Sequence, residues 1–283
     1  MTDERAAHTA LGTEDCLWPQ WRVAPRVQAF VTTRAGGVSG SLYDGGAPGA
    51  GGLNLGLSTG DAPNAVHENR RRAIASTGAP EAAWLSQIHS AQVEDAADVL
   101  ARRAQGEAIR ADASVTDRAG VVCVVMAADC LPVLFCDDEG RAVGAAHAGW
   151  RGLAAGIVET TGERVARLAH VPASGLNAYL GPAIGPSAFE VGEDVFDAFT
   201  SASNAAQRDA TAACFKPTST TGKYLADIFT LARLRLTSIG VAASRIHGGT
   251  HCTVTEKARF YSYRRDRDTG RMAAFIWLAD DAC

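Results

Sequence analysis

The sequence predicts a single α/β domain with mixed sheets, and three observations carry that reading. Short β-rich apolar runs alternate with longer segments of helical period. No internal repeat, low-complexity tract or linker divides the 283 residues. With 47% hydrophobic residues the chain can bury a sizeable core.

The elements follow in order. Residues 1–20 read as a loose tail, which leaves one domain over 21–283. "RVQAFVTTRAGG" predicts a strand halted at Gly36 and Gly37. Residues 39–64 form a long glycine-rich loop, and loops of that length are often functional. A helix starts within Asp61–Asn64 and runs to about Gly78. A strand is predicted around Leu85–Val93, followed by an alanine-rich polar segment. "GVVCVVMAADC" reads as a strand buried on both faces. "PVLFCD", the turn "DEG" and "RAVGAAHA" predict a hairpin. In "GLAAGIVETTGERVARLAH", Leu153, Ile157, Val165 and Leu168 share one helical face, and Pro172 closes the helix. Helices are also expected in "GEDVFDAFTSA" and "LADIFTLARLRLTSIG", and a final strand in "MAAFIWLA".

Composition excludes several classes. A net charge of −4 without a long basic run gives no general attraction to nucleic acid or anionic membrane. Arg70, Arg71 and Arg72 read as solvated surface, whereas Arg264, Arg265 and Arg267 divide between surface and site. The N-terminus has no apolar signal-peptide core, and "AGVVCVVMAA" is too short to span a bilayer. A soluble, cytoplasmic protein is expected. Seven cysteines without a CxxC pair argue for reduced thiols, most of them packed in the core.

Three residues at or near strand ends carry the chemistry: His89 in "QIHS", Cys130 in "AADC" and His147 in "AAHAG". Two imidazoles and a thiolate suit a three-ligand zinc site with one open position, the pattern of a catalytic zinc. The long spacings require tertiary structure to bring them together, so spacing alone leaves a structural reading open. His247 and His251 do not read as a metal pair, because "HGGTH" is not expected to be helical.

The motifs "QIHSAQV", "ADASVTD", "AADCLPVLFCD", "AAHAGWRG", "LGPAIGPSAFEVG" and "SYRRDRDTGR" resemble, in order, those of the YfiH-like laccase-domain family, also named polyphenol oxidases. "TTRAGGVSGSLY" and "GLNLGLSTGD" extend the likeness over roughly residues 28–278. The resemblance implies an α+β single domain with α/β/β/α layers and mixed β-sheets. It implies a zinc-binding enzyme that phosphorolyses adenosine, inosine, guanosine and methylthioadenosine and deaminates adenosine. Its metal ligands correspond to His89, Cys130 and His147, which are also the expected catalytic residues. Purine nucleosides and inorganic phosphate are then the partners, with no protein partner legible. The insertion "DGGAPGAGG" departs from the family pattern.

Under that resemblance, the "GWRG" turn and Arg151 are candidates to meet phosphate. Arg34 and Arg264 are candidate substrate contacts, and Gln87, which shares the parity of His89, could bond to a base or a water. Asp129 is a candidate proton acceptor if the strand ends before Cys130. Cys252 reads as core. Three rival functions stand beside the phosphorylase. One is a metal-free thiol hydrolase using Cys130 and His147, and another is cytoplasmic editing of peptidoglycan precursors. The third is copper-dependent phenol oxidation, weakened because seven histidines include no H-x-H pair. Copper could nonetheless occupy the zinc ligands. The usual deaminase signature, H-x-E followed by P-C-x-x-C, is absent.

Overall fold

The apolar run before Cys130 forms the strand Val122–Ala127, buried along nearly its whole length, as its unbroken hydrophobicity requires. In the computed structural model, which describes residues 10–40, 42–44, 51–202 and 205–280, this strand belongs to a five-stranded sheet. The sheet order is Cys16–Leu17, Val27–Thr32, Met272–Leu278, Val122–Ala127, Ala82–Ala83. Its last pairing is parallel and the others are antiparallel. The predicted hairpin lies in a six-stranded sheet ordered Ile246–Gly248, Leu176–Leu180, Leu131–Asp137, Val143–Ala148, Ala113–Thr116, Val93–Asp95. Here both edge pairings are parallel and the inner ones antiparallel. The hairpin turn is fixed by the Asp137 carboxylate, which accepts from the backbone N–H of Arg141 (2.6 Å) and Ala142 (3.1 Å).

Side-chain alternation sorts these strands into layers. Ala274 and Ile276 of the five-stranded sheet meet Leu134, Cys136, Val143 and Ala145 of the six-stranded sheet in one core between the sheets. Phe275 and Trp277 point the other way, with Phe30, Val124, Leu55 and Ala73. Ala73 belongs to the helix Pro63–Ala75, which covers that outer face. Val133, Phe135 and Ala146 point outward from the second sheet onto the helices Ile157–Ala169 and Ile228–Ser238. A three-stranded antiparallel sheet, Glu190–Gly192, Lys223–Ala226 and Phe215–Pro217, adds to this side. The chain is thus an α+β domain with helices outside two stacked mixed sheets. Among the described residues, no helix is long and apolar enough to cross a membrane.

Several expectations change. Leu85–Val93 is not a strand: Ala82–Ala83 pairs in one sheet and Val93–Asp95 in the other, and the residues between carry the chain across. The N–H groups that a ladder would use, those of Ile88, His89 and Ser90, go instead to the Asp112 carboxylate. The alanine-rich segment after it is a helix, Ala96–Ala104, capped by the Asp95 carboxylate at the N–H of Ala97 and Asp98. The long helix expected from 152 breaks into Trp150–Ala154 and Ile157–Ala169 at Gly156, whose φ of 92° ends helical geometry. In the expected tail, residues 1–9 lie outside the described residues, but Cys16–Leu17 pairs with Val31–Thr32 and is part of the sheet. Residues 45–50 of the glycine-rich insertion also lie outside the described residues.

Candidate metal centre and its cavity

Three element ends deliver the three candidate ligands. The first long strand stops at Ala127, and the chain turns through Asp129 (φ 88°) before the next strand starts at Leu131, so Cys130 sits on the corner. His147 is the penultimate residue of Val143–Ala148, paired opposite Pro132. His89 occupies the crossing segment with φ 60°, an uncommon left-handed conformation for a residue with a Cβ.

Asp112 accounts for that conformation. Its fully buried carboxylate accepts from the backbone N–H of Ile88 (3.2 Å), His89 (2.9 Å) and Ser90 (2.6 Å), and from the Ser90 hydroxyl (2.8 Å). It also faces His147 Nδ1 at 2.9 Å. Burial alone would raise the Asp112 pKa, but hydrogen bonds from His147 and Ser90 outweigh it and hold the value at about 2. Burial opposes the His147 charge, but Cys130 and Asp112 raise its pKa to about 9, so without a metal the ring is cationic. With Nδ1 committed to this carboxylate, Nε2 is the nitrogen that would shed its proton to hold an ion. One side chain thereby shapes the loop of one ligand and orients the ring of another.

The donor atoms of His89, Cys130 and His147 all lie within 4.8 Å of one another. Cys130 Sγ is 3.9 Å from His89 Nε2, and the two imidazole rings are edge-to-face at 4.9 Å. Burial opposes ionisation of the Cys130 thiol, yet the neighbouring His147 and His89 bring its pKa down to about 6. The buried Cys123 thiol, without such neighbours, is pushed up to about 12. Space for the cluster comes from Gly149, where a Cβ would stand 3.0 Å from both Cys130 Sγ and His89 Cδ2. Two imidazoles, one thiolate and a carboxylate behind one histidine fit a divalent ion of zinc type. Among the described residues, no fourth His, Cys, Asp or Glu joins the group, so a fourth position is left to the cavity.

That cavity, of about 750 Å³, is lined by the three ligands, Gln87, Trp84, Met126, Tyr263 and three arginines, Arg70, Arg103 and Arg271. Gln87 reaches it, but its amide is held by the Met126 backbone at 2.8 and 2.7 Å. The other expected substrate contacts stand elsewhere. Arg34 is buried, donates to the Lys257 carbonyl (3.2 Å) and packs over Tyr261. Arg264 donates to the Glu190 carbonyl at 2.9 Å. Arg151 is exposed and lies over Trp150, its guanidinium carbon 4.3 Å from the ring centroid. None of these three lines the cavity. Asp129 turns away from the cluster, accepting from the Thr253 hydroxyl (2.5 Å) and the Arg264 N–H (2.6 Å).

Asp112, Arg103 and Arg271 stand at the site without any sequence signal that singles them out, and Arg70 stands there against the solvated-surface reading. Arg70 was expected at the surface and is buried, its guanidinium carbon 4.0 Å above the Trp84 ring. The signal was present: Val66, Asn69, Arg70 and Ala73 occupy one helical face, and all four are buried. His247 and His251 join no metal cluster; His247 sits edge-on to Trp21, and His251 faces Glu256.

Comparison with known proteins agrees with this architecture. The family described as Multi-copper polyphenol oxidoreductase laccase matches residues 28–279. A Pseudomonas aeruginosa protein named purine nucleoside phosphorylase PA4543 is 47% identical over 93% of this chain and 98% of its own length. The Escherichia coli purine nucleoside phosphorylase YfiH is 49% identical over 92% of this chain and 97% of its own. The crystal structure of Neisseria meningitidis protein NMB0706 superposes with a TM-score of 0.83 at 47% identity, covering 94% of this chain and all of that one. With its layers, its His–Cys–His corner and these full-length matches, the chain belongs to the YfiH-like laccase-domain family.

Proposed function

We propose that this chain is a zinc-binding purine nucleoside phosphorylase, acting on adenosine, inosine, guanosine and methylthioadenosine, with accompanying deamination of adenosine in the cytoplasm. The observation that carries the reading is a single cavity in which a three-donor metal centre and three arginines face the same space. The names of the full-length relatives support the purine nucleoside and phosphate substrates.

His89, Cys130 and His147 would hold the ion, which when bound supplies Lewis acidity at its open position. Asp112 keeps His147 in the tautomer that presents Nε2 and fixes the backbone of His89. In phosphorolysis a phosphate oxygen bonds to the ribose anomeric carbon as the bond to the purine nitrogen breaks, and the departing base takes up a proton. The arginines offer charge-assisted donors to the phosphate, and Tyr263, half exposed at the cavity, offers a ring to the purine.

The test uses protein purified without added metal. About one zinc per chain, with adenine and ribose 1-phosphate formed from adenosine only when phosphate is present, is the expected result, and His89→Ala should lose both. Inosine would report deamination separately. A second reading, a thiol hydrolase, is favoured by the alignment of Cys130, His147 and Asp112, with a lowered thiol pKa at one end and a carboxylate behind the imidazole. Metal-free protein with a rapidly alkylated Cys130 and no nucleoside turnover would replace the first reading with this one. Copper in place of zinc, with phenol oxidation, would replace the metal assignment.

A further inference from the structure

Most arginines near a carboxylate in this fold are ion-paired: Arg71 and Arg72 with Glu68, Arg102 with Glu94 and Glu107, Arg235 with Glu159, Arg245 with Asp138. Arg70 and Arg103 form no carboxylate pair among the described residues, yet they share one cavity wall. Arg70 is nine-tenths buried, spends Nε on the Leu55 carbonyl (2.9 Å) and one Nη on Met126 Sδ (3.5 Å). No hydrogen bond to its other Nη is found among the described residues. Among the described residues, Arg103 donates one side-chain bond, to the Trp84 carbonyl at 3.3 Å. Trp84 thus holds both cations, one stacked on its ring and the other on its carbonyl.

Burial and the charge of Arg103 pull the Arg70 pKa down to about 10, against a smaller opposing pull from the Glu81 carboxylate, which forms no ion pair with it among the described residues. Two like charges that line one cavity and contact the same tryptophan are stabilised by an anion that both can reach. We infer that Arg70 and Arg103 form the phosphate-binding pole of the cavity, taking a phosphoryl dianion between their free N–H groups. The inference rests on the phosphorylase reading for the identity of the reaction, though not for the binding of the anion. It moves the phosphate contact from the "GWRG" turn, which does not line the cavity, to the cavity lining, where the helices Pro63–Ala75 and Ala96–Ala104 supply one arginine each. Arg271, also at the cavity, donates to the carbonyls of Thr269 and Gly270 and stands as a flanking charge.

The test is calorimetric titration of inorganic phosphate and, separately, of adenosine 5′-monophosphate at constant ionic strength. Wild type is compared with Arg103→Gln, Arg70→Lys and the ion-paired control Arg102→Gln. The expected result is phosphate binding weakened at least about tenfold in Arg103→Gln and unchanged in Arg102→Gln. Arg70→Lys keeps a cation over Trp84 but loses the planar fork, and should also weaken binding. In turnover, the KM for phosphate should rise while the KM for nucleoside holds. Dependence on Arg103 for the monophosphate alone would keep the pole and assign it to a nucleotide's phosphate. Equal binding of both anions to wild type and Arg103→Gln would overturn the inference and leave the phosphorylase reading standing. Arg103-dependent phosphate binding without nucleoside cleavage would overturn that reading and leave the pole.

Discussion

Among the described residues, two histidine–carboxylate contacts of almost equal length do different things. His147 Nδ1 lies 2.9 Å from Asp112, and His251 Nδ1 lies 3.0 Å from Glu256. Each histidine has a cysteine in its neighbourhood, Cys130 in the first case and Cys252 in the second. The surroundings decide the outcome. Asp112 is fully buried, joins segments far apart in sequence, and leaves His147 Nε2 facing a thiolate and a second imidazole. Glu256 is five residues from His251, partly exposed, and already shared with Arg259 and the Cys252 N–H. The first contact orients a donor into a cavity; the second staples a local turn. A histidine–carboxylate distance by itself therefore says little about chemistry.

The largest difference between the two sites should appear on removing a donor. Cys130→Ala or His147→Ala is expected to leave the purified protein without metal, measured by atomic emission, whereas His251→Ala should retain the wild-type metal content. Next comes the supporting carboxylate. Asp112→Asn keeps the shape but replaces an acceptor of five hydrogen bonds with one that also donates. Metal affinity, read by competition with a chelator, should fall about 10–100-fold. Asp112→Ala takes the acceptor from three part-buried N–H groups, the Ser90 hydroxyl and His147 at once, and a loss of about 3–5 kcal/mol in urea unfolding of the metal-free protein is expected. An unchanged metal affinity in Asp112→Asn would sink the orienting role.

The sequence makes one half of this comparison legible and hides the other. Cys130 and His147 stand at the ends of continuous apolar runs, buried along nearly their whole length, so both the strands and the corners could be read from composition. His89 stands out as a residue, but its segment reads as a strand, because "AAWLSQIHSAQV" has strand-like composition. Its conformation is set by a carboxylate 23 residues away, which no local pattern announces. Asp112 lies in "ADASVTD", one short polar residue among small ones, with nothing in the spacing to mark it. Arg70 was legible in principle from the helical face it shares with Val66 and Ala73. Its position in an Arg-Arg-Arg run suggested a solvated face, and burial against Trp84 overrides that suggestion.

A smaller effect is expected from crowding the two cysteines. A Cβ at Gly149 would sit 3.0 Å from Cys130 Sγ, and one at Gly185 would sit 3.1 Å from Cys252 Sγ. Either substitution to alanine forces a neighbour to give way, at about 1–3 kcal/mol in unfolding experiments. Only Gly149→Ala should also weaken metal binding, because its Cβ pushes on two ligands at once. Equal metal affinity in both variants would mean that the cluster can shift without changing its grip, and Gly149 would then serve the turn into Trp150–Ala154 alone.

The smallest effect belongs to Glu256→Gln. The substitution removes the charge facing His251 and Arg259 but keeps an oxygen that can accept from the Cys252 N–H. Both ion pairs are partly exposed, so solvent screens them, and a stability change below about 1 kcal/mol is expected. Metal content should not move. A loss of metal in this variant would mean that the turn following Gly249 transmits to Cys130, and the path is visible. Thr253, just after Cys252, bonds to Asp129, the residue before Cys130. Thr253→Val in the same assay separates the two cases. If Glu256 acts through that bond, both variants lose metal; if it staples only its own turn, neither does.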